Sequence, residues 1–212
     1  QIRVTWWGDV SLDDTSFALA PDSKVGPPVV LDHKTLKVGQ QNIALMSSKL
    51  PLLARTTYHL MVASTKGGKP SELAEVTTTA DLDGTAPTWK GVKASYYIKY
   101  EPQCCMCRTG GPEIDVDVGD ASDDTTPADQ LVYGVWPGDG TFDPKSPMVA
   151  MTSAYRGIVA LGSLSICSAV NFDLPEDAKS IKLRIAPIDL SGNIGTPSSV
   201  TIDLSKPLKQ HP

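Results

Sequence analysis

The sequence predicts an all-β chain made of two tandem β-sandwiches. Three observations lead there. Asp outnumbers Glu 19 to 5, and Asp favours turns where Glu favours helices. The 18 Thr and 17 Val suit pleated strands, while 17 Gly and 17 Pro supply frequent turns. Short apolar runs recur roughly every 8–12 residues with turn signals between them, and no segment sustains a helical period.

The strand candidates follow in order. Ile2–Trp7 opens the first unit and is closed by a turn at Gly8-Asp9. Thr15-Ser16-Phe17-Ala18-Leu19 is next, then Val29-Val30-Leu31 before a turn expected around Asp32, then Ile43-Ala44-Leu45-Met46. Tyr58, Leu60 and Val62 share one face of a strand that ends in the turn Lys66-Gly67-Gly68-Lys69-Pro70. Glu75–Thr79 closes the unit. The turn-rich stretch Asp81–Pro87 marks the boundary, giving domains at 1–82 and 83–212.

The second unit begins with Ser95–Tyr100, followed by the cysteine-rich loop Gln103–Pro112. Ile114-Asp115-Val116-Asp117-Val118 alternates strictly, which predicts one buried and one acidic face. Leu131–Trp136, the evenly spaced Leu164, Ile166, Val170 and Phe172, Lys182–Ile185 and Val200–Leu204 supply the remaining strands, with a turn at Asp189–Asn193.

Composition narrows the function. A net charge of -5 with no basic cluster leaves no electrostatic footprint for nucleic acid or anionic lipid. No run reaches the ~18 apolar residues of a membrane span. A strand stands where a leader would, so a mature form or an excised fragment is expected. Neither a phosphate-cradling Gly loop nor an HExxH or GxSxG motif occurs. Of the three histidines, His211 lies in a polar tail and His59 faces away from the Tyr58 row, so no catalytic residue is assigned.

Two resemblances fit these patterns. Ser16-Phe17-Ala18-Leu19 after an acidic turn, and Leu52-x-Ala54-x-Thr56-x-Tyr58 leading into a strand, make residues 2–79 resemble a bacterial Ig-like domain of the S-layer-associated kind. Gly84–Val92, then Ala121–Ala128 followed by Leu131-Val132-Tyr133, then Ile188–Asn193 followed by Pro197, make residues 84–204 resemble a divergent fibronectin type III-like module of bacterial secreted proteins. In that comparison Val118 stands where the family places a core Trp, and Ile181 near its corner Tyr. The first unit resembles its family from its second strand onward, which leaves an open sheet edge at Ile2–Trp7. The resemblance implies an extracellular, periplasmic or cell-surface structural or adhesive module, non-enzymatic, contacting a protein or a surface glycan. An accessory spacer of a larger secreted hydrolase and a self-assembling surface-layer or fibre subunit are the alternatives.

Three groups of residues are singled out. Cys104, Cys105, Cys107 and Cys167 are an even set that suits disulfides in an oxidising compartment, with Cys167 expected to join the cluster. Cys-Cys-x-Cys lacks zinc-knuckle spacing, and a soft-metal or redox site is the sharper alternative. The seven acids from Glu113 to Asp129 suggest a solvated face or, with Asp81 and Asp83, a calcium site without EF-hand spacing. Trp6, Trp7, Trp89 and Trp136 stand beside turns or strand ends; neighbours in a strand face opposite ways, so one of Trp6 and Trp7 is expected to be exposed, and Trp6, Trp7 and Trp136 are candidate aromatic contacts, with packing against the neighbouring module or a missing strand as the alternative.

Overall fold

The computed structural model describes residues 2–7, 11–22, 26–38, 41–78, 83–100, 111–162, 174 and 177–208. Apart from one 3₁₀ turn, Ala128–Gln130, the described elements are all strands. No helix long and apolar enough to cross a membrane occurs among the described residues. Two compact units are present: 1–37 with 42–83, and 84–212 with 38–41.

In the first unit, β1 (Ile2–Trp7), β2 (Thr15–Pro21), β3 (Val29–Val38), β4 (Gln41–Ser48), β5 (Thr57–Ser64) and β6 (Ser71–Thr77) form one continuous sheet. Its order is β1-β4-β3-β2-β5-β6. Period-2 alternation puts Phe17, Leu19, Leu31, Ala44, Met46, Tyr58 and Leu60 on one buried face. Ile2 and Val4 from one edge strand and Val76 from the other pack against that same cluster. The six strands thus share one apolar core.

The turn expected around Asp32 is absent. β3 runs straight through Asp32, whose exposed carboxylate pairs with Lys49 at 2.9 Å. Asp32 follows the buried Leu31 on the outward phase, and a polar residue there continues the alternation instead of ending it.

Among the described residues the second unit holds nine strands. They are β7 (Thr88–Trp89), β8 (Ala94–Tyr100), β9 (Gly111–Asp117), β10 (Ala121–Ser122), β11 (Val132–Pro137), β12 (Ala150–Ser153), β13 (Ile158–Gly162), β14 (Ser180–Ile188) and β15 (Ser198–Asp203). Strands β13-β9-β8 make one sheet, β12-β11-β14-β15 another, and β10-β7 a short ribbon. The two larger sheets approach along β8 with β15 and β12 with β13. On β9, Ile114 and Val116 are buried opposite Leu161 and Val159 of β13, while Asp115 and Asp117 take the other face, as the alternation predicts. β12 and β13 were not anticipated from sequence, and Leu164–Phe172 lies outside the described residues.

The central strands are buried on both faces. Tyr133, Val135 and Trp136 of β11, and Leu183, Ile185, Ala186 and Ile188 of β14, are all core residues. Trp136 is thus not an exposed contact, being only 1 % accessible. Its indole lies over Gly134, where an added Cβ would come within 2.4 Å of the ring, and Phe142 packs edge-on at 5.2 Å. The backbone of Trp6 and Trp7 belongs to β1, but their side chains, like all four cysteines, lie outside the described residues.

Gly134→Ala is expected to push Trp136 from its seat and cost about 1–3 kcal/mol. Leu19→Ala should cost about 2–5 kcal/mol, and exposed Val30→Ala under about 0.5 kcal/mol. Urea unfolding of the three variants checks this ranking.

Candidate functional site: the loop end of the second unit

The connection from β9 to β11 and the turn from β14 to β15 meet at one end of the second unit. Asp123 organises the first. Its Oδ2 accepts from the Thr126 N–H at 2.8 Å and from the Thr125 N–H and hydroxyl, each at 3.2 Å. This is the side-chain-to-backbone turn that Asp favours. Burial pushes the Asp123 pKa up, yet the hydrogen bonds from Thr126 and Thr125 outweigh it and hold the carboxyl below its ordinary value.

Asp189 organises the second. It is fully buried, with Oδ1 accepting from the Asn193 N–H and Oδ2 from the Asn193 amide, both at 2.8 Å. Gly192 closes the turn at φ +91°, a conformation that L side chains rarely adopt. The two connections are then joined directly: Leu190 N–H donates to the buried Thr126 hydroxyl at 3.2 Å. Leu190 itself stands 46 % exposed at the tip.

β7 ties in a third segment. It pairs with β10, Trp89 opposite Ala121 and Thr88 opposite Ser122. The Trp89 indole N–H donates to Thr196 O at 2.6 Å, and the ring packs on Tyr133 with centroids 5.8 Å apart. Burial, and then the nearby Asp120 charge, raise the Tyr133 pKa. An open cleft of about 400 Å³ runs beside Trp89, lined also by Thr88, Lys90, Lys93, Asp120 and Ser122. The sequence places Trp89 beside a turn but not among the candidate contacts Trp6, Trp7 and Trp136.

The acidic tract is divided among local tasks. Asp117 accepts from Gly119 N–H at 2.9 Å, Asp123 holds its turn, and Asp120 lines the cleft. Asp81 lies outside the described residues, as do the cysteines. In the first unit His59 faces outward as expected, but it is engaged: Nδ1 lies 3.0 Å from Glu72 Oε1 on β6, and Nε2 lies 3.3 Å from Asp22 Oδ1. His33 packs edge-on against Phe17 at 5.3 Å. His211 lies outside the described residues.

No protein-family model matches the chain, and comparison with curated proteins finds no relative.

The His59 arrangement has a pH signature. Hydrogen bonds to Glu72, then Asp22, raise its pKa above the ordinary 6.5. The imidazolium thus stabilises the fold fully below about pH 6.5, and that contribution is lost as pH rises through the higher folded value. Urea midpoints from about pH 5 to about pH 9 are expected to fall through this window, and His59→Gln should flatten that step. An unchanged step in the variant contradicts the assignment.

Proposed function

We propose that the chain is a non-catalytic structural or adhesive module acting outside the cell or at its surface. Its second unit presents the loop end to a protein or glycan partner. The observation that carries this reading is the linkage of three chain segments into one end by Asp123, Thr126, Leu190, Asp189 and Trp89. Loops already held in one arrangement lose little conformational entropy on binding, so a rigid scaffold with tethered loops suits recognition.

The resemblance to a fibronectin type III-like module supports the same reading. The stretches that carry it, Ala121–Ala128 and Ile188–Asn193, contain the residues that lock this end. The division into sheets of three and four strands accords with a sandwich of that type. A bacterial origin and the Ig-like reading of residues 2–79 are part of the proposal. A self-assembling surface-layer or fibre subunit is a second reading, favoured by the edge position of β1, which pairs only with β4 among the described strands.

The test uses the full chain on a sensor against panels of glycans and extracellular proteins. The reading predicts at least one binder whose affinity falls about tenfold in Leu190→Asp, with the urea midpoint unchanged. Equal binding by wild type and variant, or no binder at all, overturns it. Light scattering at two concentrations, with calcium and then chelator, separates the second reading: a monomer throughout removes it, and a calcium-dependent polymer replaces the first reading with it.

A further inference from the structure

We infer that the tip of the β12–β13 hairpin, Tyr155-Arg156, is the point through which the loop end of the second unit holds a protein partner, one that presents a carboxylate beside an apolar hollow. This rests on the reading of that end as a contact surface, and it narrows the partner from protein or glycan to protein. Three observations lead there.

The first is position. Ser153, the last residue of β12, pairs with Val132, and Val132 pairs on its other side with Ile188. The end of β12, the start of β11 and the end of β14 thus stand in one row. The hairpin, the connection that Asp123 holds and the turn that Asp189 holds all border that row. Gly157 O accepts the Val118 N–H at 2.9 Å, which ties the hairpin to the connection between β9 and β10. The hairpin tip therefore belongs to the same end as the exposed Leu190.

The second is the backbone. Tyr155 N–H donates to Ile158 O at 2.9 Å and Ile158 N–H donates to Tyr155 O at 3.0 Å, so two residues make the turn. Arg156 takes φ +52° and Gly157 takes φ +78°. A hairpin turn with both central residues in the left-handed region favours Asn or Gly at the first of them. Arg brings a Cβ to that region and has no short polar group to bond its own backbone, so the turn holds it at a conformational cost. Arg156 is exposed and makes no ion pair among the described residues. Its one contact is the ring of its neighbour, so the cost points to a task outside the fold.

The third is the side-chain pair. Tyr155 is 74 % accessible, and the Arg156 guanidinium lies over its ring, 5.2 Å from the centroid. Each side chain restrains the other, so the pair has less freedom to lose on binding. Tyr and Arg are the types that carry binding energy at protein interfaces. The guanidinium takes one face of the ring, which makes Tyr155 a poorer platform for a sugar than for a hollow in a protein surface. The fork of the guanidinium matches the two oxygens of a carboxylate. The fit is one of geometry rather than of net charge, since Asp117 and Asp120 stand on the neighbouring connection.

The experiment is selection of a displayed random-peptide library on the immobilised full chain, followed by titration of the selected peptides against wild type and variants. The expected peptides carry Asp or Glu next to a large apolar residue. They bind about tenfold more weakly to Tyr155→Ala and to Arg156→Asn. Asn suits the first position of this turn, so Arg156→Asn should leave the urea midpoint unchanged or raise it while binding falls. A purely structural Arg156 would instead lower the midpoint. Peptides without an acid, peptides that bind both variants as they bind wild type, an empty selection, or a lowered midpoint in Arg156→Asn overturns the inference. A panel partner lost in Leu190→Asp but kept in Arg156→Asn removes the hairpin tip and leaves the contact reading standing.

Discussion

Asp123, Thr126 and Asp189 hold together the end of the second unit where its connections meet. Each is polar, and Thr126 and Asp189 are buried, so each must find partners inside the protein or carry a desolvation cost. Thr126 finds its partner in the other loop, while the two carboxylates bond within their own, Asp123 through Oδ2 alone. Asp123 fixes the backbone at Thr126, Thr126 takes the N–H of Leu190, and Asp189 next to it closes on Asn193. The chain's abundance of Asp over Glu gains a physical meaning here, since the shorter side chain reaches its own neighbouring amides. Trp89, hydrogen-bonded to Thr196 beyond the same turn and packed on Tyr133, ties a third segment to this end.

The apolar half of the unit obeys a different constraint. A strand buried on both faces needs close packing above and below it. Trp136 meets that need on β11 only because Gly134 offers no side chain beneath the indole. Phe142, from the connection that follows, covers it. In the first unit Ile2 and Val4 from one edge strand and Val76 from the other pack against the core that holds Phe17 and Leu60.

Strands were legible where polar and apolar residues alternate strictly. The Ile114–Val118 alternation and the Tyr58, Leu60, Val62 row both appear in the structure with the expected faces, because period 2 is a local property of the backbone. Features set by distant residues were not legible. Trp136 reads as an exposed aromatic unless Gly134 and Phe142 are known to enclose it. The pairing of β1 with β4, and the long β3 through Asp32, depend on partners far along the chain. At the site, Asp189–Asn193 was legible as a turn, but its bond to Thr126 joins residues 64 positions apart, and nothing local announces it. His59 shows the same limit: its outward face follows from alternation, whereas Asp22 and Glu72 reach it only after the strands pair.

Native-state hydrogen exchange at the amides of Thr126, Leu190 and Asn193 tests the central claim most directly. If these polar groups lock the loop end, all three amides exchange slowly, with protection approaching that of the β11 and β14 amides, and Asp189→Ala releases them together. Exchange as fast as in the exposed loop around Gly140, with β11 and β14 protected as before, would contradict the account.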